Sequence, residues 1–329
     1  MYQPPNKDLK SFTFCSIYRE SFNIISSNTK LFTQIALFII FPLSVVGLFA
    51  TPFDHITNTA SQSQLNATTP PADTYDNLSS PWTPAAFLIY NLARAALNIG
   101  LSLLYFSSLT YAVASIYTEH TNITFYSAIC AFKKVWKKLL LTRLAMWAAM
   151  MGYTLMTGLL LILPVRAVSS GSYRMVASLA IFIISLVYAG GLIYMVIVWI
   201  FGAQVAVLES TCGFKALSRS RILIKGKAFL TISVLVPIAL FSLLVAWMVL
   251  KVVVNGDAAG IGIVTRIGCG IVALPVMTGL TLLAVVVETV TYLVCKADKG
   301  ESVTKSSVME HLDMFVDGYA LVRAKDEQI

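Results

Sequence analysis

Hydrophobic and polar positions separate into six long apolar runs, at 31–50, 85–117, 139–163, 175–208, 228–250 and 261–295, divided by short polar segments. About 20 apolar residues in a helix cross the hydrocarbon core of a bilayer, so each run predicts a membrane span. The second, fourth and sixth are longer than a span requires. The 33 residues of 85–117 would make about 50 Å of helix, more than tilt absorbs within the core. These long runs predict projections beyond the membrane or breaks within it.

Three amphipathic segments precede the shorter runs. In 14–30, Phe14, Tyr18, Phe22 and Ile25 share one helix face, with Arg19, Asn23 and Ser26 opposite. In 125–143, Phe125, Ile129, Phe132, Trp136 and Leu139 share a face, and Lys133, Lys134, Lys137 and Lys138 lie on the other side. In 208–227, a narrower strip of Phe214, Leu217, Ile224 and Ala228 runs beside Lys215, Arg219, Arg221 and Lys225. Such helices suit a membrane surface, with apolar side chains in the acyl boundary and cations among anionic headgroups. The expected fold class is therefore all-α: a polytopic membrane protein with six transmembrane helices in three amphipathic-helix-plus-hairpin units. The string Cys130-Ala131-Phe132-Lys133 and its counterpart Cys212-Gly213-Phe214-Lys215 support the repeat. Repeats of this kind pack around a shared interface.

Composition sharpens this picture. The chain of 329 residues is 57% hydrophobic and 12% charged, about half the charged fraction of a soluble domain. A net charge of +8 raises nucleic acid as a partner, but the basic residues flank apolar runs and no phosphate-binding or RNA-binding signature is present. Segments 1–30, 118–143, 209–227 and 296–329 hold 19 of the 24 Lys and Arg residues. That asymmetry predicts a cytoplasmic N-terminal segment at 1–30, a transmembrane domain at 31–295 and a cytoplasmic tail at 296–329. The first outer loop has no Lys or Arg and carries two glycosylation sequons, at Asn66 and Asn77, which agrees with a lumenal position. The first thirty residues lack a signal-peptide h-region, so 31–50 is expected to be a retained anchor.

The stretch Val207-Leu208-Glu209, Gly213-Phe214-Lys215-Ala216-Leu217-Ser218-Arg219-Ser220 and Lys225-Gly226-Lys227 resembles a family of plant six-pass membrane proteins of uncharacterised activity. That family is similar to the membrane domain fused to some bacterial glycerophosphodiester phosphodiesterases. Further matches are Ile17-Tyr18-Arg19-Glu20-Ser21-Phe22 with Pro42-Leu43, and His311-Leu312 with Tyr319-Ala320-Leu321. The resemblance implies a membrane module and no phosphodiesterase activity, since nothing here corresponds to the catalytic domain. Ser210-Thr211 departs from the acidic character expected after the Glu.

Candidate chemistry is sparse. His55, His120 and His311 lie outside the apolar runs without metal-ligand spacing, and no nucleophile elbow is present, so no catalytic, cofactor-binding or metal site is expected. Glu119, Glu209 and Glu288 read as solvated caps or partners for nearby cations. Arg94 lies inside the second run with Asn91 and Asn98 one turn to either side, continued by Ser102 and Tyr105. A charge within a span faces a bundle interior or watery cavity, or snorkels to the headgroups. Cys130 and Cys212, beside the membrane, are candidates for S-acylation. The leading expectation is a non-enzymatic scaffold of the endoplasmic reticulum or another endomembrane, or of the plasma membrane. It would bind anionic headgroups and partner proteins, and homo-oligomers are compatible with it. The alternative is a transporter or channel for a small solute or lipid around Arg94.

Overall fold

The computed structural model describes residues 12–47, 84–117, 125–169, 174–209, 211–254, 256 and 260–299. The described residues form eight helices: α1 (Phe14–Ser27), α2 (Thr29–Gly47), α3 (Pro84–Tyr117), α4 (Phe125–Ser169), α5 (Arg174–Leu208), α6 (Phe214–Ile224), α7 (Ala228–Val249) and α8 (Ile263–Asp298). Six of these, all but α1 and α6, are long and apolar enough to cross a membrane. Asn28 separates α1 from α2, with its Nδ2 donating to the Ile24 carbonyl at 3.4 Å. Within α2 the turn at Ala36–Ile40 widens to π geometry. It precedes Pro42, which has no N–H to donate.

The run expected to begin at Leu139 as a separate span is not separate. Helix α4 passes unbroken through the lysine-rich segment and makes about 68 Å of helix from its 45 residues. Between Lys138 and Arg143 stand Leu139, Leu140, Leu141 and Thr142, which contain neither Gly nor Pro. The basic stretch therefore forms the first turns of a long helix, where a flat surface helix was expected. Nor does Pro164 end the helix. In an apolar setting neighbouring groups can meet the freed carbonyl, and helices tolerate Pro there.

Most of the described basic residues gather at one end of the bundle, formed by α1, the first turns of α4, α6 and the last turns of α8. Helix α8 is the hub of this basic end, packing on α1, α2, α3, α5, α6 and α7. From Val285 to Lys296 nearly every side chain is buried, and Phe201, Tyr292, Leu109 and Ile35 fill the spaces between helices. Toward the other end large apolar side chains are exposed. There Leu159, Leu163, Phe182, Leu186 and Val264 are all more than 60% exposed, as side chains facing lipid should be.

The α4–α5 hairpin is closed by Tyr153 stacking on Tyr188, with ring centroids 5.4 Å apart. A Cβ on Gly191 would collide with the Tyr153 hydroxyl. Gly191→Ala is expected to displace that ring and cost about 1–3 kcal/mol, read as a lower Tm of the purified protein.

Helix α1 is tied to the bundle by Tyr18 Oη donating to the Val234 carbonyl at 2.8 Å and by Tyr117 Oη donating to Glu20 at 3.3 Å. Burial holds the Glu20 carboxyl above the usual carboxylate range, opposed by the bond from Tyr117. A raised folded-state value favours the protonated form. The stabilisation is full below about pH 4 and fades as pH rises through the folded value. Glu20→Gln is expected to flatten the fall in Tm over that interval, and an unchanged profile would show that α1 does not register this proton.

Candidate functional site: a charged cleft inside the bundle

Helix α7 packs on α8 and, near its start, on α1. Its inner side leaves a cleft over α8 with two neighbouring chambers, and Tyr105 and Thr281 line both. The inner chamber, about 340 Å³, lies between α3, α4, α5, α7 and α8 and is lined by Tyr105, Phe106, Arg143, Trp199, Ser242 and Glu288 among others. The outer chamber, about 380 Å³, lies between α2, α3, α7 and α8. Leu43, Ala246, Val249, Leu250, Leu274 and Met277 make most of it apolar, with Ser44 and Asn98 at its wall.

Arg143 and Glu288 are the charges of the inner chamber. The Arg143 guanidinium stands 5.5 Å from the Phe106 ring and 5.3 Å from the Trp199 ring, a position that cation–π attraction favours. Its Nε is shielded from solvent and has no hydrogen-bond partner. Glu288, Arg143 and Tyr105 are close enough to interact electrostatically. Among the described residues, however, no ion pair within 4.0 Å joins Arg143 to Glu288. Opposite charges therefore face a shared cavity without closing on each other.

Beyond this chamber the bundle is sealed toward its basic end. Gln204 Nε2 donates to Thr289 Oγ1 at 3.2 Å, both fully buried. One layer further, Glu209 accepts from Tyr292 Oη at 2.8 Å, Lys296 Nζ at 3.4 Å and Arg219 Nε at 3.3 Å. These bonds join the end of α5 to α6 and α8. Gly213 starts α6 at φ +63°, a conformation that disfavours side chains, and its N–H donates to Thr142 Oγ1 on α4 at 2.9 Å. The site thus has a charged chamber, an apolar approach and a polar seal.

Several residues singled out by sequence lie elsewhere. Lys133, Lys134, Lys137 and Lys138 are exposed on α4, with Lys137 5.7 Å from the Trp136 ring. The face that α4 buries is Ala128, Ala131, Val135 and Leu139, turned by roughly a fifth of a turn from the expected one and sharing Leu139 with it, which leaves Trp136 39% exposed. On α6, Lys215, Arg221 and Lys225 are exposed, but Arg219 is turned inward to Glu209. Leu217 and Ile224 of the expected membrane strip are buried in protein, whereas Phe214 is exposed. The string shared by the two basic stretches has different local structures: Ala131 is mid-helix and Gly213 precedes a helix. Asn98 lines the outer chamber and Asn91 and Arg94 lie further along α3, half-buried and each with a bonding partner. Cys130 and Cys212 are half-buried. Asn66, Asn77 and the three histidines fall outside the described residues.

Sequence reasoning missed Arg143 as a cleft residue and read Glu288 as a cap. A signal was present: both positions fall inside the apolar runs drawn above. Among the described residues no group of three His, Cys, Asp or Glu side chains is placed to hold a metal.

No curated protein and no solved structure matches this chain. A family match extends over residues 3–329, almost its entire length, taking in the cleft, the seal and both basic faces. The chain therefore belongs to the family described as Domain of unknown function (DUF8558).

Proposed function

We propose that this is a non-enzymatic membrane carrier or binding protein that accepts a small solute or lipid into the cleft between α7 and the rest of the bundle. The observation that carries the reading is the opposed pair Arg143 and Glu288 on one cavity without an ion pair between them. Ionisable side chains at membrane depth are costly, and those that persist mark ligand or ion pathways. This is the transporter alternative moved along the bundle, from Arg94 to Arg143 and Glu288. The test is a cysteine reporter. With the native cysteines replaced, Ser242→Cys and Asn98→Cys are expected to react with a membrane-impermeant thiol reagent in nanodiscs. If Ser242→Cys stays unreactive, the charged chamber is closed to water and the carrier reading falls.

A second reading, a scaffold that gathers anionic lipids or partner proteins, is favoured by the exposed basic faces. Lys133, Lys134, Lys137 and Lys138 surround Trp136 on α4, and Lys215, Arg221 and Lys225 stand beside Phe214 and Ile222 on α6. Replacing the four α4 lysines by Gln is expected to remove on the order of 1 kcal/mol of attraction to anionic headgroups per charge. The loss would appear as less anionic lipid co-purifying with the protein. Unchanged lipid content would assign those lysines to bulk solvent.

The same proposal places both termini in the cytoplasm of an endomembrane, in three units of amphipathic segment, short span and long span. It also keeps the kinship with the plant six-pass proteins and the phosphodiesterase-associated membrane domain. Support comes from the Lys and Arg bias and from the helix order of α1–α2–α3, α4–α5 and α6–α7–α8. Endoglycosidase treatment is expected to shift the mobility of the protein through Asn66. Modification at Asn122 instead would invert the topology.

A further inference from the structure

We infer that the cleft takes a single-chain zwitterionic amphiphile, with the anionic group of its head on Arg143, its cationic group toward Glu288 and its chain in the outer chamber. This rests on the carrier reading above and names its ligand class. The argument begins with the charges. In a medium of low dielectric, opposite charges attract strongly, and separated ones are stable only if something holds them apart. The rings of Phe106 and Trp199 engage the guanidinium at 5.5 and 5.3 Å, and the cavity is lined by both the guanidinium and the carboxylate. The unpartnered Nε adds a donor without an acceptor, which is costly to leave buried. A phosphate or carboxylate oxygen would satisfy it, and guanidinium geometry suits both groups.

Charge balance then selects among ligands. A simple anion would gain Arg143 but meet repulsion from Glu288. A simple cation would meet the reverse. A neutral lipid would leave both charges without a partner. A head carrying one charge of each sign answers both residues at once, and Tyr105 and Ser242 offer hydroxyls beside it.

Size and lining supply the rest. Each chamber alone falls within the roughly 300–1,000 Å³ typical of ligand pockets. The outer chamber has few polar groups for a head to use. Leu43, Ala246, Val249, Leu274 and Met277 give an aliphatic chain an apolar wall on three helices. A free zwitterion without a chain would leave that chamber filled by water against apolar surface, which is unfavourable.

The experiment uses the Ser242→Cys reporter on the full chain, in nanodiscs of phosphatidylglycerol, which carries a single negative charge. Lysophosphatidylethanolamine is the probe, and lysophosphatidic acid, a monoacylglycerol and free phosphoethanolamine are the comparisons. The expected result is that the probe slows labelling at least tenfold while the three comparisons leave it within about twofold. Ala246→Trp, which narrows the outer chamber, should abolish protection. So should the charge-neutral pair Arg143→Gln with Glu288→Gln, whose unprotected labelling rate checks that the cleft is still formed. Equal protection by lysophosphatidic acid would overturn the zwitterion, and protection by phosphoethanolamine alone would overturn the chain. Labelling that proceeds normally but is slowed by none of the four overturns the ligand class and leaves the carrier reading standing. Absence of labelling in the empty protein overturns the carrier reading itself.

Discussion

Glu209→Ala is expected to be the most damaging single substitution at the basic end, lowering stability by about 3–5 kcal/mol. Glu209 is the shared acceptor for Tyr292, Lys296 and Arg219, and its side chain is 14% exposed against 9% for Lys296. Removing the carboxylate strands a nearly buried ammonium on α8 and releases Arg219 in the middle of α6. Tyr292→Phe removes one hydrogen bond and is expected to cost only about 0.5–1.5 kcal/mol. Lys296→Met, which removes the charge instead of stranding it, should fall between the two. The three variants are compared by thermal unfolding of the purified protein under one condition. If Glu209→Ala costs no more than Tyr292→Phe, water solvates these charges and the seal contributes little to holding α5, α6 and α8 together.

The spans were legible because hydrophobic length is a local property. The runs drawn at 85–117 and 175–208 are within one residue of Pro84–Tyr117 and Arg174–Leu208, and 228–250 stands as Ala228–Val249. The long runs also kept their length as continuous helices, and their ends at the basic end are buried in protein. The junction at 139 was not legible. Amphipathic periodicity shows that one face of 125–143 is apolar, but it does not distinguish lipid from a neighbouring helix as the partner of that face. Here part of the partner is protein, so Ala128, Ala131, Val135 and Leu139 are buried and Trp136 is not.

The same limit hid the cleft. Arg143 closes a lysine-rich string and was counted with the charges that set topology, although it already stands within the apolar run. Glu288 looked like an end residue of an overlong helix. Their juxtaposition depends on α4 and α8 bordering one cavity, with the two positions 145 residues apart in the chain, which no spacing encodes. Arg94 drew notice because it is isolated in its run. Of the polar face it shares, Asn98 and Tyr105 line the cleft.

Whether Arg143 and Glu288 act as one unit is open to a double-mutant cycle, and the expected result is a coupling of about 0.5–3 kcal/mol. Arg143→Leu leaves Glu288 facing the cavity without its countercharge, and Glu288→Leu does the same to Arg143, which keeps only the ring faces of Phe106 and Trp199. Either single variant should therefore unfold at a lower temperature than the parent. The double variant should lose less than the sum, because replacing both charges by apolar groups removes the stranded charge as well as their longer-range attraction. Arg143→Lys sharpens the test. It keeps the charge but loses the planar, forked guanidinium, so stability should be partly retained while protection by the zwitterionic probe is lost. Strict additivity of the two Leu variants would mean that each charge is solvated on its own side of the cavity. The opposed pair would then no longer support a ligand that bridges it.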